Sequence, residues 1–555
     1  MSQSGRQHGR GRYREASFDP ARSETPRAYR TFLDGNREIH CSAARDGSAV
    51  RTGKAKSRTP VMHEQGKSDG CIVPEKSPNE AETKVEEAVE ERRPAKGNTH
   101  QQNAPRTQCR KQGAPNELER VRQVAKKDKN AKFTALLHHV TKERLERAYQ
   151  QTRREAAPGV DGVTWEQYGQ DLERNIQELH ARLHRGAYRA RPSRRVYIPK
   201  PDGRQRPLGI AALEDKIVQR AVVEVLNAIY EVDFAGFSYG FRPKRSQHQA
   251  LDALAVAITR RRVNWVLDAD IRGFFDAVSH EWLVKFIEHR IADRRVVRLI
   301  QKWLAAGILE DGKWRASEGT PQGGTASPLL ANVYLHYVFD LWVQQWRKRH
   351  ARGDVVVVRY ADDVIVGFQN EQEARRFQEE LSKRMQSFSL ELHPDKTKLV
   401  RFGRFAQTGR AKHGRAGTFN FLGFTHISGK TRRGRFMLVR RTIAKRMQAK
   451  LKQIRLELPK RMHTPVPEQG KWLKSVVGGY FAYHAVPTNS VRLGRFRLAV
   501  IRAWIRTLQR RSQVTRISRE RIDTLAARWI PPTRARHPWP LERFDARTRG
   551  RSPVR

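Results

Sequence analysis

The sequence predicts an α+β protein followed by an all-helical region, and three observations carry that prediction. Two apolar, β-branched runs, Val355–Val358 and Val364–Val366, flank Tyr360-Ala361-Asp362-Asp363 and read as a buried hairpin with two acids at its tip. Upstream, strand and helix patterns mix without strict alternation, which argues against a doubly wound sheet. After about residue 440 only helical spacing remains.

Taken in order, residues 1–115 are polar, rich in Gly, Ser, Pro, Arg and Glu, and read as a mostly disordered basic extension. Order begins near Asn116. Leu118, Val121, Val124 and then Leu136, Leu137, Val140, Leu145 and Tyr149 keep helical spacing, with Lys and Arg on the other faces. A turn at Pro158-Gly159-Val160-Asp161-Gly162 precedes a helix over 165–185. Arg195–Ile198 and Arg206–Ile210 are strands around Pro201-Asp202-Gly203. A helix over 213–232 and a strand over Val263–Ile271 follow, then helices over 279–291 and 294–306. A Gly-rich loop, Gly319–Gly324, leads into a helix over Ser327–His350, the hairpin, and a helix over 371–389. Short strands are expected at 397–402, 419–425 and 435–439. The domains are therefore 1–115, 116–439, a helical 440–530 and a basic tail 531–555.

Composition narrows the function. The 555 residues hold 109 Lys plus Arg against 58 Asp plus Glu, a net charge of +51. An excess this large along the whole chain implies a polyanionic partner, nucleic acid above all. No apolar run of about 18 residues exists, so no membrane role is expected, and the N-terminus lacks a secretory apolar core. The three cysteines, Cys41, Cys71 and Cys109, precede the folded part. Disulfide frameworks and Cys-based zinc sites are thereby excluded from it, and a cytoplasmic location fits.

Asp-Asp alone is usually a solvated turn. A third carboxylate changes that reading. Asp270 ends the strand Trp265-Val266-Leu267-Asp268-Ala269-Asp270, and alternation puts Asp268 on the same face. Clustered carboxylate oxygens suit hard divalent cations, and three of them from two strands can hold two Mg²⁺ ions. For Asp268 and Asp276 a solvated position, or pairing with Arg272 or Lys285, is the expectation.

Asp270-x4-Phe275, then Pro321-Gln322-Gly323-Gly324, then Tyr360-Ala361-Asp362-Asp363 resembles a reverse transcriptase. Further blocks resemble group II intron reverse transcriptase/maturases: Ile198–Gly203 with Arg206–Ile210, Tyr239-Gly240-Phe241-Arg242-Pro243, Gly319–Gly324 and Phe421-Leu422-Gly423-Phe424. The resemblance runs from about Asn116 to the C-terminus. It implies a right-hand polymerase with fingers, an antiparallel palm sheet, and an all-helical thumb and maturase domain. It implies catalytic metals on Asp270, Asp362 and Asp363, and a steric gate at Phe275 that selects dNTPs. Lys200 and Arg206 would close on the triphosphate, and Gln322 would lie against the nascent pair. Gly323, Gly324, Tyr360 and Lys396 would contact template and primer, with Lys398 an alternative to Lys396. The implied partners are group II intron RNA, a DNA target or primer and dNTPs, and the implied activities are RNA-directed DNA synthesis and help in splicing.

The basic helices after 440 carry Trp472, Tyr480, Tyr483, Phe496 and Trp504; packing is the expected role of each aromatic. Many family members end in a Cys/His endonuclease module. Here the residues after Arg511 hold no Cys and a single histidine, His537, so the tail is expected to touch DNA without cutting it. Two alternatives stand beside this reading: a splicing maturase with little polymerase activity, and a reverse transcriptase of another element such as a retron, a diversity generator or a defence system.

Overall fold

The computed structural model describes residues 117–199, 205–317, 319–407, 416–511 and 517–548. The N-terminal extension, Lys200 with its Pro-Asp-Gly turn, and the end of the basic tail lie outside them. Helices Glu117–Lys127, Lys142–Gln150 and Leu172–His184 open the fold. Their apolar stripes, Leu118, Val121, Leu145, Ile176 and Leu179, are buried while their charged faces stay out. The first two pack on the long, mostly buried helix Leu213–Asp233.

The strands, in chain order, are β1 (Ser193–Pro199), β2 (Gln205–Ile210), β3 (Trp265–Ala269), β4 (Ile308–Glu310), β5 (Lys313–Arg315), β6 (Val355–Tyr360), β7 (Asp363–Phe368), β8 (Lys398–Arg401), β9 (Thr418–Phe421), β10 (Phe424–Lys430) and β11 (Phe436–Thr442). They form three sheets, ordered β2-β1-β4-β5, β6-β7-β3-β8 and β11-β10-β9. Every pairing is antiparallel except β1 with β4. The mixed α+β class with antiparallel sheets is thus as expected. In the second sheet β6 and β7 are buried on both faces, which is why they read as continuous Val and Ile runs rather than as alternation. Phe377 and Leu381 of helix Glu371–Gln386 are fully buried beneath this sheet, in the same core.

One buried ion pair fixes the hairpin. Arg359 of β6 is wholly buried, and its Nε and Nη2 donate to the two carboxylate oxygens of Asp340 at 2.7 and 2.6 Å. Its Nη1 donates to Asn332 Oδ1 at 3.0 Å and to the carbonyl of Ala361 at 3.1 Å. Asn332 in turn donates to the Gly240 carbonyl at 2.7 Å. Asp340 ends a π-helical turn, His336–Asp340, that interrupts the single helix expected over 327–350. Burial opposes the charged form of Asp340, but the Arg359 guanidinium beside it outweighs that and holds the carboxyl below its ordinary range.

Past β11 the described residues are helical: Ala444–Lys460, Val466–His484, Ser490–Gln509, Arg519–Trp529 and Pro540–Thr548. The first of these was expected to begin at 440. Instead β11 continues to Thr442, because Arg440 and Thr442 point inward. Thr442 N donates to Asn489 Oδ1 at 3.0 Å, and Arg440 pairs with Asp252 at 3.2 Å. Trp504 and Phe496 are buried in this bundle, and Tyr480 stacks on Phe496 at 3.8 Å, so these aromatics pack.

The described residues of the basic tail, 531–548, fold back. Arg536 N donates to the Ala485 carbonyl at 2.9 Å, and His537 stacks on His248 at 3.9 Å. Helix Pro540–Thr548 lies on Gln247–Arg260, where Arg543 joins Arg440 on buried Asp252 at 3.2 Å. A buried carboxylate outweighs the appeal of solvent for one arginine of a tail. Among the described residues no helix is long and apolar enough to cross a membrane.

Two outcomes follow. Asp340→Asn leaves Arg359 buried without a counter-charge and should cost about 3–5 kcal/mol in chemical denaturation. The depressed carboxyl stabilises the fold at pH above its unfolded value near ~4 and loses that contribution as pH falls through its folded value, so the variant should also show a flatter acid limb of stability. Asp252→Ala strands Arg440 in the same way and should cost a similar amount, whereas Arg543→Ala, which leaves the Arg440 pair intact, should cost less than half of it.

Candidate active site

The hairpin turns in two residues. Tyr360 pairs with Asp363, leaving Ala361 and Asp362 at the tip. Ala361 takes φ 56°, a conformation that two-residue hairpins require and that alanine rarely supplies. Its surroundings hold it there. Arg359 grips its carbonyl, and the backbone at Gly240 comes so close that a Cβ there would lie 2.2 Å from Ala361 N. Tyr239 N donates to the Arg359 carbonyl at 2.8 Å, so the loop around Gly240 is laced to the outer edge of β6.

Asp270 arrives from the other side. The β3–β7 register ends at Ala269 opposite Val364, and the next step brings Asp270 alongside Asp363. The electrostatics reflect the crowding. Although Asp363 is exposed at the end of β7, the protein around it withholds water from its carboxylate, and that desolvation, followed by the charges of Asp362 and Asp270, pushes its carboxyl up to about 6. Burial raises Asp362 as well, and Asp270 adds to it, while Arg206 and Lys396 pull the other way. The three sequence-predicted carboxylates therefore share one electrostatic site. As arranged, no three His, Cys, Asp or Glu side chains among the described residues converge tightly enough to hold one ion. Lys396 Nζ sits on Asp270 Oδ2 at 2.6 Å. Lys396 was expected on nucleic-acid phosphates; here its partner is a carboxylate. The segment that carries it is tied down by His393 N donating to the Asp270 carbonyl at 2.8 Å.

The remaining predicted residues surround this tip. Phe275 is half-buried in the short helix Phe274–Ala277, and its carbonyl accepts from Thr320 N at 2.8 Å, locking it to the Gly-rich loop. Gln322 accepts from Gly209 N of β2 at 2.7 Å through its carbonyl. Gly323, at φ 116°, passes so close to β2 that a Cβ would meet the Gly209 carbonyl at 2.6 Å. Gly324 is buried beside Ser327, and Tyr360 is half-buried with its ring 6.5 Å from Phe241. Arg206 is exposed, pairs across the strands with Ile198, and lowers the Asp362 carboxyl from a distance. Lys200 lies outside the described residues.

Three residues escaped the sequence reading. Asp268 was expected to be solvated or paired with Arg272 or Lys285. Instead Arg272 pairs with Glu391 and Lys285 with Glu281. Burial, then Asp363 and Asp270, push Asp268 up to about 7. Its alternation with Asp270 was the available signal. Phe241 is 55% exposed at φ 57° beside Tyr360, and nothing in its spacing marks that. Arg446 of helix Ala444–Lys460 is exposed and lowers Asp363 from across the sheet, a contact without sequence signature.

The family model described as "Reverse transcriptase (RNA-dependent DNA polymerase)" matches residues 198–426. Protein YkfC of Escherichia coli (strain K12) is 40% identical over 275 residues, 44% of this chain and 72% of that one. Group II intron-encoded protein LtrA of Lactococcus lactis subsp. cremoris is 36% identical over 238 residues, 42% of this chain and 39% of that one. The mitochondrial Nuclear intron maturase 3 of Arabidopsis thaliana is 28% identical over 176 residues, 28% of this chain and 24% of that one. The chain thus spans well under half the length of the relatives whose names refer to introns. The family model lies across the strands that meet at Asp270, Asp362 and Asp363, and the chain covers most of one relative's length. It belongs to the group II intron-encoded reverse transcriptase/maturases, a family of RNA-directed DNA polymerases.

Proposed function

We propose that this chain copies a group II intron RNA into DNA by nucleotidyl transfer and also binds that intron RNA to assist its splicing. The observation that supports the polymerase half is the electrostatic coupling of Asp270, beyond the end of β3, with Asp362 and Asp363 of the hairpin, with Arg206 acting on Asp362. The donor set is all carboxylate oxygen, which fits Mg²⁺, and the mutual repulsion of these groups is what a divalent cation relieves. Bound there, two such ions would activate the primer hydroxyl and neutralise the departing pyrophosphate.

The chain's own residues then divide the work. Arg206, with Lys200, draws the triphosphate toward the tip. Phe275, held by Thr320, presents its ring where a 2′-hydroxyl would sit. Gln322, Gly323 and Gly324 offer backbone surface to the nascent pair, and Tyr360 supports the primer end. Lys396, which pairs with Asp270 here, would meet phosphate once a cation neutralised that carboxylate. The helices after 443 act as thumb and maturase domain, their Lys and Arg meeting RNA phosphates. A splicing maturase without polymerase activity is the second reading, and the complete carboxylate set weighs against it.

Primer extension on an RNA template tests this. Asp363→Asn should lower Mg²⁺-dependent dNTP incorporation by about 100-fold or more, the several kcal/mol of charge stabilisation converted to rate. Wild-type protein that incorporates nothing removes the polymerase reading. Phe275→Ala should retain dNTP incorporation and begin to accept rNTPs; unchanged sugar selectivity removes the gate assignment.

A further inference from the structure

Away from the carboxylates, the surface between helices Lys142–Gln150 and Trp165–Gly169 opens into a cavity of about 660 Å³. One wall is a column of flat groups. The Tyr149 and Trp165 rings lie parallel, 8° apart with centroids at 4.6 Å, and the Arg154 guanidinium covers the ring of Trp165 at 4.9 Å. No residue of this cavity belongs to the site described above.

The column is preorganised. Tyr149 Oη donates to the Trp165 carbonyl at 2.8 Å, and Trp165 Nε1 donates to the Tyr149 carbonyl at 3.2 Å. Each ring thus spends its polar atom on the other's backbone, which fixes both planes. A capping box between Thr164 and Gln167 secures the turn that carries Trp165. Gly169 leaves room for the tyrosine; a Cβ there would meet Tyr149 Oη at 2.3 Å.

The groups at the rim are unspent. Among the described residues, Arg154 has no carboxylate partner beyond its place over the indole. Among the described residues Glu166 and Gln170, both exposed, have no side-chain hydrogen bond. A loose guanidinium on a fixed aromatic face, with an amide and a carboxylate beside it, is a small set of recognisable chemistry. The guanidinium, backed by the rings, offers a stacking plane, and the amide and carboxylate offer donor and acceptor to a heterocycle's edge. A triphosphate is a poor match, because Glu166 lines the cavity. A polyanion that presents one flat base while its backbone runs past Arg153 and Arg154 is a good one, and it suits the chain's net charge of +51.

We infer that this cavity binds an unpaired nucleobase of a single-stranded nucleic acid, stacked against Arg154 over the Trp165–Tyr149 pair. The inference does not depend on the polymerase reading.

The test uses the full chain and fluorescein-labelled 12-nucleotide single-stranded oligoribonucleotide and oligodeoxyribonucleotide, with binding read by anisotropy at several salt concentrations. Arg154→Ala should weaken binding about tenfold, and Trp165→Leu similarly, with a loss that persists at high salt because stacking is not screened. Arg153→Ala, its exposed neighbour, should lose only a salt-dependent part. Loss with the ribo-oligomer alone assigns the cavity to RNA, and equal loss with both assigns it to any single strand. A thermal melt of Trp165→Leu separates lost packing from lost binding; should it fail to fold, crosslinking of a 4-thiouridine oligomer to Tyr149 or Trp165 in the wild type takes its place. Arg154→Ala no weaker than Arg153→Ala, or no crosslink at the cavity, overturns the proposal. Primer extension by Arg154→Ala on a long duplex should match wild type, so failure of this inference is distinct from failure of the polymerase reading.

Discussion

Everything at the candidate site leans on one buried ion pair, Arg359 with Asp340. Two charges taken wholly out of water are stable only when each has its geometry satisfied. Here the guanidinium spends Nε and Nη2 on one carboxylate and Nη1 on Asn332 and the Ala361 carbonyl. The last of these contacts matters most for function. It clamps an alanine in a left-handed conformation at the tip, and so sets where Asp362 and Asp363 begin. The π turn that ends at Asp340 interrupts a regular helix, and from it the carboxylate meets Arg359.

The sequence made the hairpin, the carboxylates and the class of fold legible because each has a local signature. Two buried strands leave unbroken Val runs, and acids at the end of such runs stand out. Arg359 had no such signature: it sits in a valine run and reads as an intrusion until Asp340 is known to face it. Asp268 was misjudged for a related reason. Alternation gives a side chain its face, but only the third dimension shows which charges share that face. Phe241, Arg446 and the Lys396–Asp270 pair depend on contacts between distant segments, which no periodicity encodes.

The same limit explains the C-terminal segment. By composition residues 531–555 look like a basic tail suited to DNA. What composition cannot register is a buried acid elsewhere that wants a second cation. Asp252 supplies it, and Arg543 leaves solvent for it. His537 over His248 and the Tyr483 hydroxyl on the Leu422 carbonyl at 2.8 Å extend the same interface toward the third sheet. The helical region is thus fastened to the sheets at several points rather than hung from a single connection.

That fastening has a consequence for how the chain is made. Synthesis runs from N- to C-terminus, and domains fold as they emerge. Asp252 emerges first, Arg440 reaches it later, and Arg543 later still. Until then the carboxylate has one arginine and the His248 ring has an open face. Helix Pro540–Thr548 therefore closes a seam that earlier segments leave open: until it has emerged, the sheets and the helical region are joined without the Arg543–Asp252 pair.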